Sequence, residues 1–198
     1  EFPHIVSLIR NNQFDTIYHE HYSYLSVTSL SPIFENHGLR ITKVERLNTH
    51  GGSIRIYVVR SDSSWETSDS VSEILQEETE NDPRDKVIWQ SLQEKTLRVK
   101  IDLLEELVKC KRQGIKVAAY GAAAKGNTLL NYCGIDSDLI DYVVDLNPYK
   151  QGNYLPGSRI PIVGLDHLTE NTPDVLLVLP WNLADEINSQ LSNFTNAG

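Results

Sequence analysis

The sequence predicts an α/β chain that closes in a parallel-sheet domain, and three observations carry that expectation. Past residue 113, short apolar runs alternate with helical stretches, which implies a parallel sheet with right-handed crossovers. Between Val87 and Lys111 no Gly or Pro interrupts an apolar pattern of helical period. Ahead of it, a short helical run is followed by two Ile/Val-rich runs, which fits the tail of a larger α/β sheet better than the start of a domain. The expected division is 1–60, then a helical connector at 61–112, then an α/β domain at 113–198.

In chain order, Ser29–Gly38 reads as a helix. It has Leu30, Ile33 and Phe34 at i+3/i+4 spacing, Pro32 in its first turn and Gly38 as its cap. Leu39–Leu47 and Ser53–Arg60 read as strands, the second alternating Ile54, Ile56 and Val58 with Arg55 and Tyr57. Residues 48–52 form the turn between them. The acidic stretch from Glu66 to Asp85 reads as a solvated helix or linker face. In the long helix, Leu97, Ile101, Leu104 and Val108 lie on one stripe, which Ile88, Leu92, Val99, Leu103 and Leu107 widen. At ~1.5 Å per residue it spans roughly 35–40 Å and is expected to rest on both flanking domains. Lys116–Tyr120 reads as a strand, Ala122–Cys133 as a helix ending at Gly134, Leu139–Val144 and Asp174–Leu179 as strands, and Leu183–Leu191 as a helix.

The chain has 198 residues, 40% hydrophobic and 23% charged, with a formal net charge of −9, which excludes collagen-like and disulfide-stapled classes. The acidity sits at 61–112, with 8 basic and 13 acidic residues, and at 113–198, with 4 and 9. No Lys/Arg stripe interleaves with aromatics, so nucleic-acid partners are not expected. No apolar run approaches the ~18–20 residues of a membrane span and no signal-peptide pattern opens the sequence. Two Cys, at 110 and 133, lack C-x-x-C spacing and read as buried thiols in a cytoplasmic protein. The sequence opens on Glu1 and has no Met, which raises the expectation of a C-terminal fragment.

Gly121-Ala-Ala-Ala-Lys125-Gly126-Asn127-Thr128 follows a strand and opens a helix. Free N–H groups and the helix dipole there suit an anion, small residues let a phosphate approach, and Lys125 adds a point charge. Asp145 ends the next strand, near where a Rossmann unit places an acid on a ribose hydroxyl. Asn127 stands where a phosphate-loop Lys belongs, which argues against nucleotide triphosphate hydrolysis, and the G-x-G-x-x-G fingerprint of NAD sites is absent. Plain close packing of helix on strand is the competing reading.

The stretch from Tyr18 to Tyr24 (YHEHYSY) is the richest in chemistry. If extended, it puts His19 and His21 on one face and Tyr18, Glu20 and Tyr22 on the other. An imidazole here suits proton transfer near neutrality, with Tyr and Glu orienting it or stabilising an oxyanion. A His-x-His metal site with His37 or His50, and a structural polar cluster, are alternatives. His50, before Gly51 and Gly52, reads as turn chemistry or as a ligand-facing side chain.

Together Phe14–Tyr24, Thr49–Ser53, Ala119–Thr128, Val144–Gly152 and Leu179–Asn182 resemble the SAM-dependent C-methyltransferases of nucleotide-linked keto-deoxysugars. The resemblance covers essentially the whole chain. It implies the end of a class I methyltransferase domain followed by a Rossmann-like C-terminal domain, without the zinc-binding cysteine module and without the SAM loop. By that match His21 is the expected base, Glu20 and Tyr18 its polar partners, and His50, Gly51 and Gly52 part of the sugar cavity. Gly121, Lys125, Gly126, Asn127, Asp145 and Lys150 are expected on the nucleotide-sugar side. SAM is expected to bind mainly residues outside this chain, zinc belongs only to the missing module, and the chain alone is expected to be inactive. A non-catalytic nucleotide-sugar binding module and an NAD-dependent oxidoreductase domain are the alternatives.

Overall fold

The computed structural model describes residues 1–47 and 51–195. The chain divides into two compact units. One holds Glu1–Phe14 and His19–Thr96, the other Asp15–Tyr18 and Leu97–Gly198.

The N-terminal unit contains β1 (Phe2–Pro3), α1 (Ile5–Arg10), α2 (Val27–Asn36), β2 (Leu39–Leu47), β3 (Ser53–Arg60), α3 (Asp69–Glu80) and the first part of α4 (Lys86–Arg112). Its sheet has the order β1-β3-β2 with antiparallel pairing throughout. The β2–β3 register runs from Leu39 opposite Arg60 to Leu47 opposite Ser53, with an irregularity between Ile41 and Lys43. Both strands have the bounds that their alternation predicts. Val27, Ile41, Val44, Ile54 and Ile74 form a core under this sheet, and Ile5, Val6, Leu8, Ile9 and Leu92 form a second one around α1.

Helix α2 starts two residues earlier than its periodicity predicts, because its N-terminus is capped from two directions. Ser26 accepts from the Ser29 amide while the Ser29 hydroxyl accepts from the Ser26 amide. Glu78 on α3 accepts from the Val27 and Thr28 amides, each at 2.7 Å. Pro32 therefore lies inside the helix, past the first turn. Gly38, at φ +68°, ends it as expected. Glu78 also corrects the view of 66–85 as a wholly solvated face. It is 2% exposed, because four donors converge on it.

The C-terminal unit is a Rossmann-like α/β domain. Strands β4 (Val117–Tyr120), β5 (Val143–Val144), β6 (Ile162–Val163) and β7 (Val175–Val178) form a parallel sheet of order β6-β5-β4-β7. Helices α5 (Ala124–Cys133), α6 (Asp166–Glu170) and α7 (Ala184–Thr195) intervene and follow. Val117, Ala119 and Val143 join one core with Leu107, Leu130 and Ile135. Their neighbours Ala118, Tyr120 and Val144 join another with Leu168, Ile187 and Leu191. Alternate residues of one strand thus enter opposite cores, as in a parallel sheet covered on both faces. Strand β5 is shorter than the expected Leu139–Val144, because a turn occupies 137–139 and the Leu139 and Ile140 amides donate back to the Asp136 carbonyl.

The apolar stripe assigned to α4 also needs correction. Leu97, Ile101 and Val108 are exposed at 49%, 53% and 36%. The buried line is Leu103, Leu104, Leu107 and Cys110 in the C-terminal unit, with Ile88 and Leu92 in the N-terminal one. Apolar residues spread all around α4, so periodicity alone does not select the covered side. Both cysteines are free, Cys133 buried and Cys110 half-buried. Among the described residues no helix is long and apolar enough to cross a membrane.

Candidate functional site

The segment holding Tyr18, Glu20 and His21 leaves one unit and enters the other. A single 3-10 turn at Phe14–Thr16 precedes it, and the Tyr18 amide donates to the Thr16 carbonyl at 3.2 Å. Residues 18–24 form a bend, a turn and irregular chain, not the extended run on which His19 and His21 share a face. Strand pairing returns only at Leu25, bridged to His4, and an unpaired extended run has nothing to hold it. His19, Glu20 and Tyr22 are exposed, Tyr22 at 94%, whereas Tyr18, His21 and Tyr24 are half-buried. Tyr18 belongs to the C-terminal unit, and Glu20 and His21 to the N-terminal unit.

Gly51 and Gly52 lie against α1. The Gly51 carbonyl accepts from the buried Gln13 amide at 2.6 Å, and the Gly52 carbonyl accepts from the His4 amide. Gly52 has φ +131°, and a Cβ there would press on Ser7 at 3.2 Å. His50 lies outside the described residues.

At the C-terminal unit, the loops after β4, β5 and β7 gather at the carboxyl edge of the sheet, where open α/β sheets bind ligands. The glycines there have a packing reason. Gly121 has φ +93°, and a Cβ on it would meet Pro180 at 2.5 Å. A Cβ on Gly126 would meet Leu179 at 2.7 Å. Gly121→Ala and Gly126→Ala are each expected to destabilise the unit by about 1–3 kcal/mol, the usual cost of overpacking. Denaturant unfolding of the two variants checks this; midpoints equal to wild type would show that the contacts relax freely.

Asp145 is turned inward. Its Oδ1 accepts from the Asn147 amide at 2.9 Å, and its Oδ2 from the Ala122 amide at 2.8 Å and from Lys150 Nζ at 3.2 Å. Lys150 Nζ also donates to the Ala122 carbonyl at 2.8 Å. The pair that the sequence places on the ligand side braces the loop after β4. Lys125, 7% exposed, donates to Asn182 Oδ1 at 2.7 Å and lies 4.8 Å from the centre of the Trp181 ring. Burial pulls its pKa down and Asp15 nearby pushes it up. Helix α5 has no side-chain cap at Ala123, and Asn127 keeps a buried Oδ1 without a hydrogen-bond partner. This edge therefore retains polar groups able to meet a hydroxyl or an anion.

One polar centre escapes sequence reasoning. His4 Nε2 lies 2.9 Å from Glu78 Oε1, and both side chains are fully buried. Thr28 adds its hydroxyl to Glu78 Oε2 at 2.6 Å. Burial raises the Glu78 carboxyl, but the bonds from His4, Thr28 and Val27 outweigh it and hold it below its ordinary value. A pocket of about 350 Å³ opens beside it, lined by Tyr24, Ser26, Thr28, Glu78, Arg84 and Trp89 among others. Positions 4 and 78 are too far apart in sequence for any local pattern to pair them. Among the described residues no group of three or more His, Cys, Asp or Glu is placed to hold a metal ion.

Comparison with known proteins gives the context. The family described as C-methyltransferase C-terminal domain matches residues 48–198. The C-methyltransferase NovU of Streptomyces niveus is 39% identical over 198 residues, covering 100% of this chain and 47% of that protein. The chain thus spans about half the length of the curated relative it matches. With a matched domain over most of its length and that identity along all of it, the chain belongs to the C-methyltransferase family, as its C-terminal portion.

Proposed function

We propose that this chain is the C-terminal part of a SAM-dependent C-methyltransferase acting on a nucleotide-linked keto-deoxysugar. The observation that carries the reading is the end-to-end likeness to a C-methyltransferase, in a chain where His21 is half-buried on an irregular segment. The chemistry required is removal of a proton from a carbon next to a ketone, followed by methylation of that carbon. Such a C–H is a weak acid, so the reaction needs a base and a donor to the developing enolate oxygen. His21 takes the proton, Tyr18 donates toward the oxygen, and Glu20 orients the neighbouring polar groups.

The C-terminal unit does not fit SAM at its glycine loop. The space beside Gly121 and Gly126 is filled by Pro180 and Leu179, and Asp145 is engaged by Ala122, Asn147 and Lys150. The Asn127 Oδ1 without a hydrogen-bond partner and the uncapped α5 terminus support a nucleotide-sugar contact at this edge of the sheet.

The test incubates the full-length protein with SAM and a panel of nucleotide-linked keto-deoxysugars and reads the products by mass spectrometry. A product carrying one added methyl group is expected from the full-length protein and none from this chain alone. Absence of any methylated product across the panel would overturn the reading, and turnover by this chain alone would overturn the division of labour.

A further inference from the structure

We propose that Asp15 is a positioning residue: with Trp181 it latches the Asp15–Tyr18 segment onto the C-terminal unit and so fixes Tyr18. The consequence for turnover rests on the reading of Tyr18 as a partner in the C-methyltransferase reaction.

Four residues belong to the C-terminal unit although both flanking stretches belong to the other. Asp15 is 4% exposed, and its Oδ2 accepts from the Trp181 indole Nε1–H at 2.7 Å. Trp181 lies in the 3-10 turn after β7, its ring facing the Lys125 ammonium at 4.8 Å, and Lys125 is anchored in turn by Asn182. A carboxylate, an indole and an ammonium thus converge from three stretches of chain, around residues 15, 125 and 181.

A buried carboxylate is costly unless a donor and a counter-charge meet it, and here both do. Burial raises the Asp15 carboxyl, while the indole bond and Lys125 lower it in part. The geometry is directional, since an indole offers one donor in its ring plane. It therefore sets the entry of the chain into the next residues, and Tyr18 follows three positions on.

The experiment has two readouts on the same variants. In this chain, hydrogen exchange of the Tyr18 amide and the Trp181 indole resonance, assigned with Trp181→Phe, are compared in wild type, Asp15→Ala and Asp15→Asn. Asp15→Ala is expected to speed Tyr18 exchange at least ~10-fold and to shift the indole resonance. Asp15→Asn retains an acceptor and is expected to stay close to wild type. In the full-length enzyme, Asp15→Ala and Trp181→Phe are each expected to lower kcat roughly 10–100-fold, the scale of a small misplacement of a reacting group. KM for SAM stays unchanged, Asp15→Asn rescues most of kcat, and the double variant is no slower than the worse single.

Unchanged Tyr18 exchange and an unmoved indole resonance in Asp15→Ala would overturn the latch, whatever the activity. A full kcat in Asp15→Ala, alongside an inactive His21→Ala, would overturn its role in turnover and leave the proposed function standing. A fully active His21→Ala would instead count against the proposed function, and the exchange result would still decide the latch.

Discussion

Replacing His21 with Ala in the full-length enzyme is expected to reduce methyl transfer by roughly 10² to 10⁴, the usual contribution of a positioned general base. SAM affinity should be intact, because SAM is proposed to bind mainly residues outside this chain, so that loss of the base leaves its binding groups in place. The loss should appear in kcat and not in the KM for SAM, as for a group that acts in the transition state. Its neighbour His19 is exposed while His21 is half-buried, so His19→Ala should leave kcat within a few-fold of wild type. Turnover of His21→Ala near the wild-type rate would remove the imidazole from the role of base.

The second large effect concerns stability. Glu78→Ala removes one member of a fully buried pair and leaves His4, the Val27 and Thr28 amides and the Thr28 hydroxyl without their acceptor. Breaking a buried pair in this way costs about 3–5 kcal/mol, and loss of the cap on α2 falls within the same count. Trp89 reports the transition of the unit concerned, since it lies beside the same pocket. The pH dependence has a definite sign. The folded carboxyl lies below its ordinary value of 4.5. Its stabilisation is therefore complete above 4.5 and disappears as pH falls through the lower folded value. Unfolding midpoints of wild type should drop in that acid window, and those of Glu78→Ala should be flatter there. An equal acid response in both proteins would show that Glu78 is not the group responsible.

The parts of the fold set by local patterning were legible in the sequence. Strands β2 and β3 have their expected bounds, because alternating Ile and Val against Arg and Tyr selects one buried face. Gly134, at φ +73°, ends α5 as its conformational freedom suggests. What depends on distant partners was not legible. The second cap on α2, Glu78 on the Val27 and Thr28 amides, comes from 51 and 50 positions away, and α4 shows its buried line only against its neighbours. Strand β6 has two residues and carries no period at all.

The candidate site divides in the same way. Nothing in the spacing of Tyr18, Glu20 and His21 distinguishes a base from a structural cluster, and their roles rest on the family likeness. The glycine loop shows the reverse difficulty. Its composition suits an anion, yet Leu179 and Pro180, more than 50 positions downstream, account for Gly121 and Gly126 by contact. Asp15 gave no sign in sequence, because its donor, Trp181, stands 166 positions away.

The most direct measurement follows hydrogen–deuterium exchange by NMR at the carbon beside the ketone of a nucleotide-linked keto-deoxysugar, in D2O with the full-length enzyme. The expected result is enzyme-dependent exchange at that carbon alone, abolished in His21→Ala and preserved in His19→Ala. Exchange at the wild-type rate in His21→Ala, or no exchange together with active methyl transfer to an oxygen of the sugar, would contradict it.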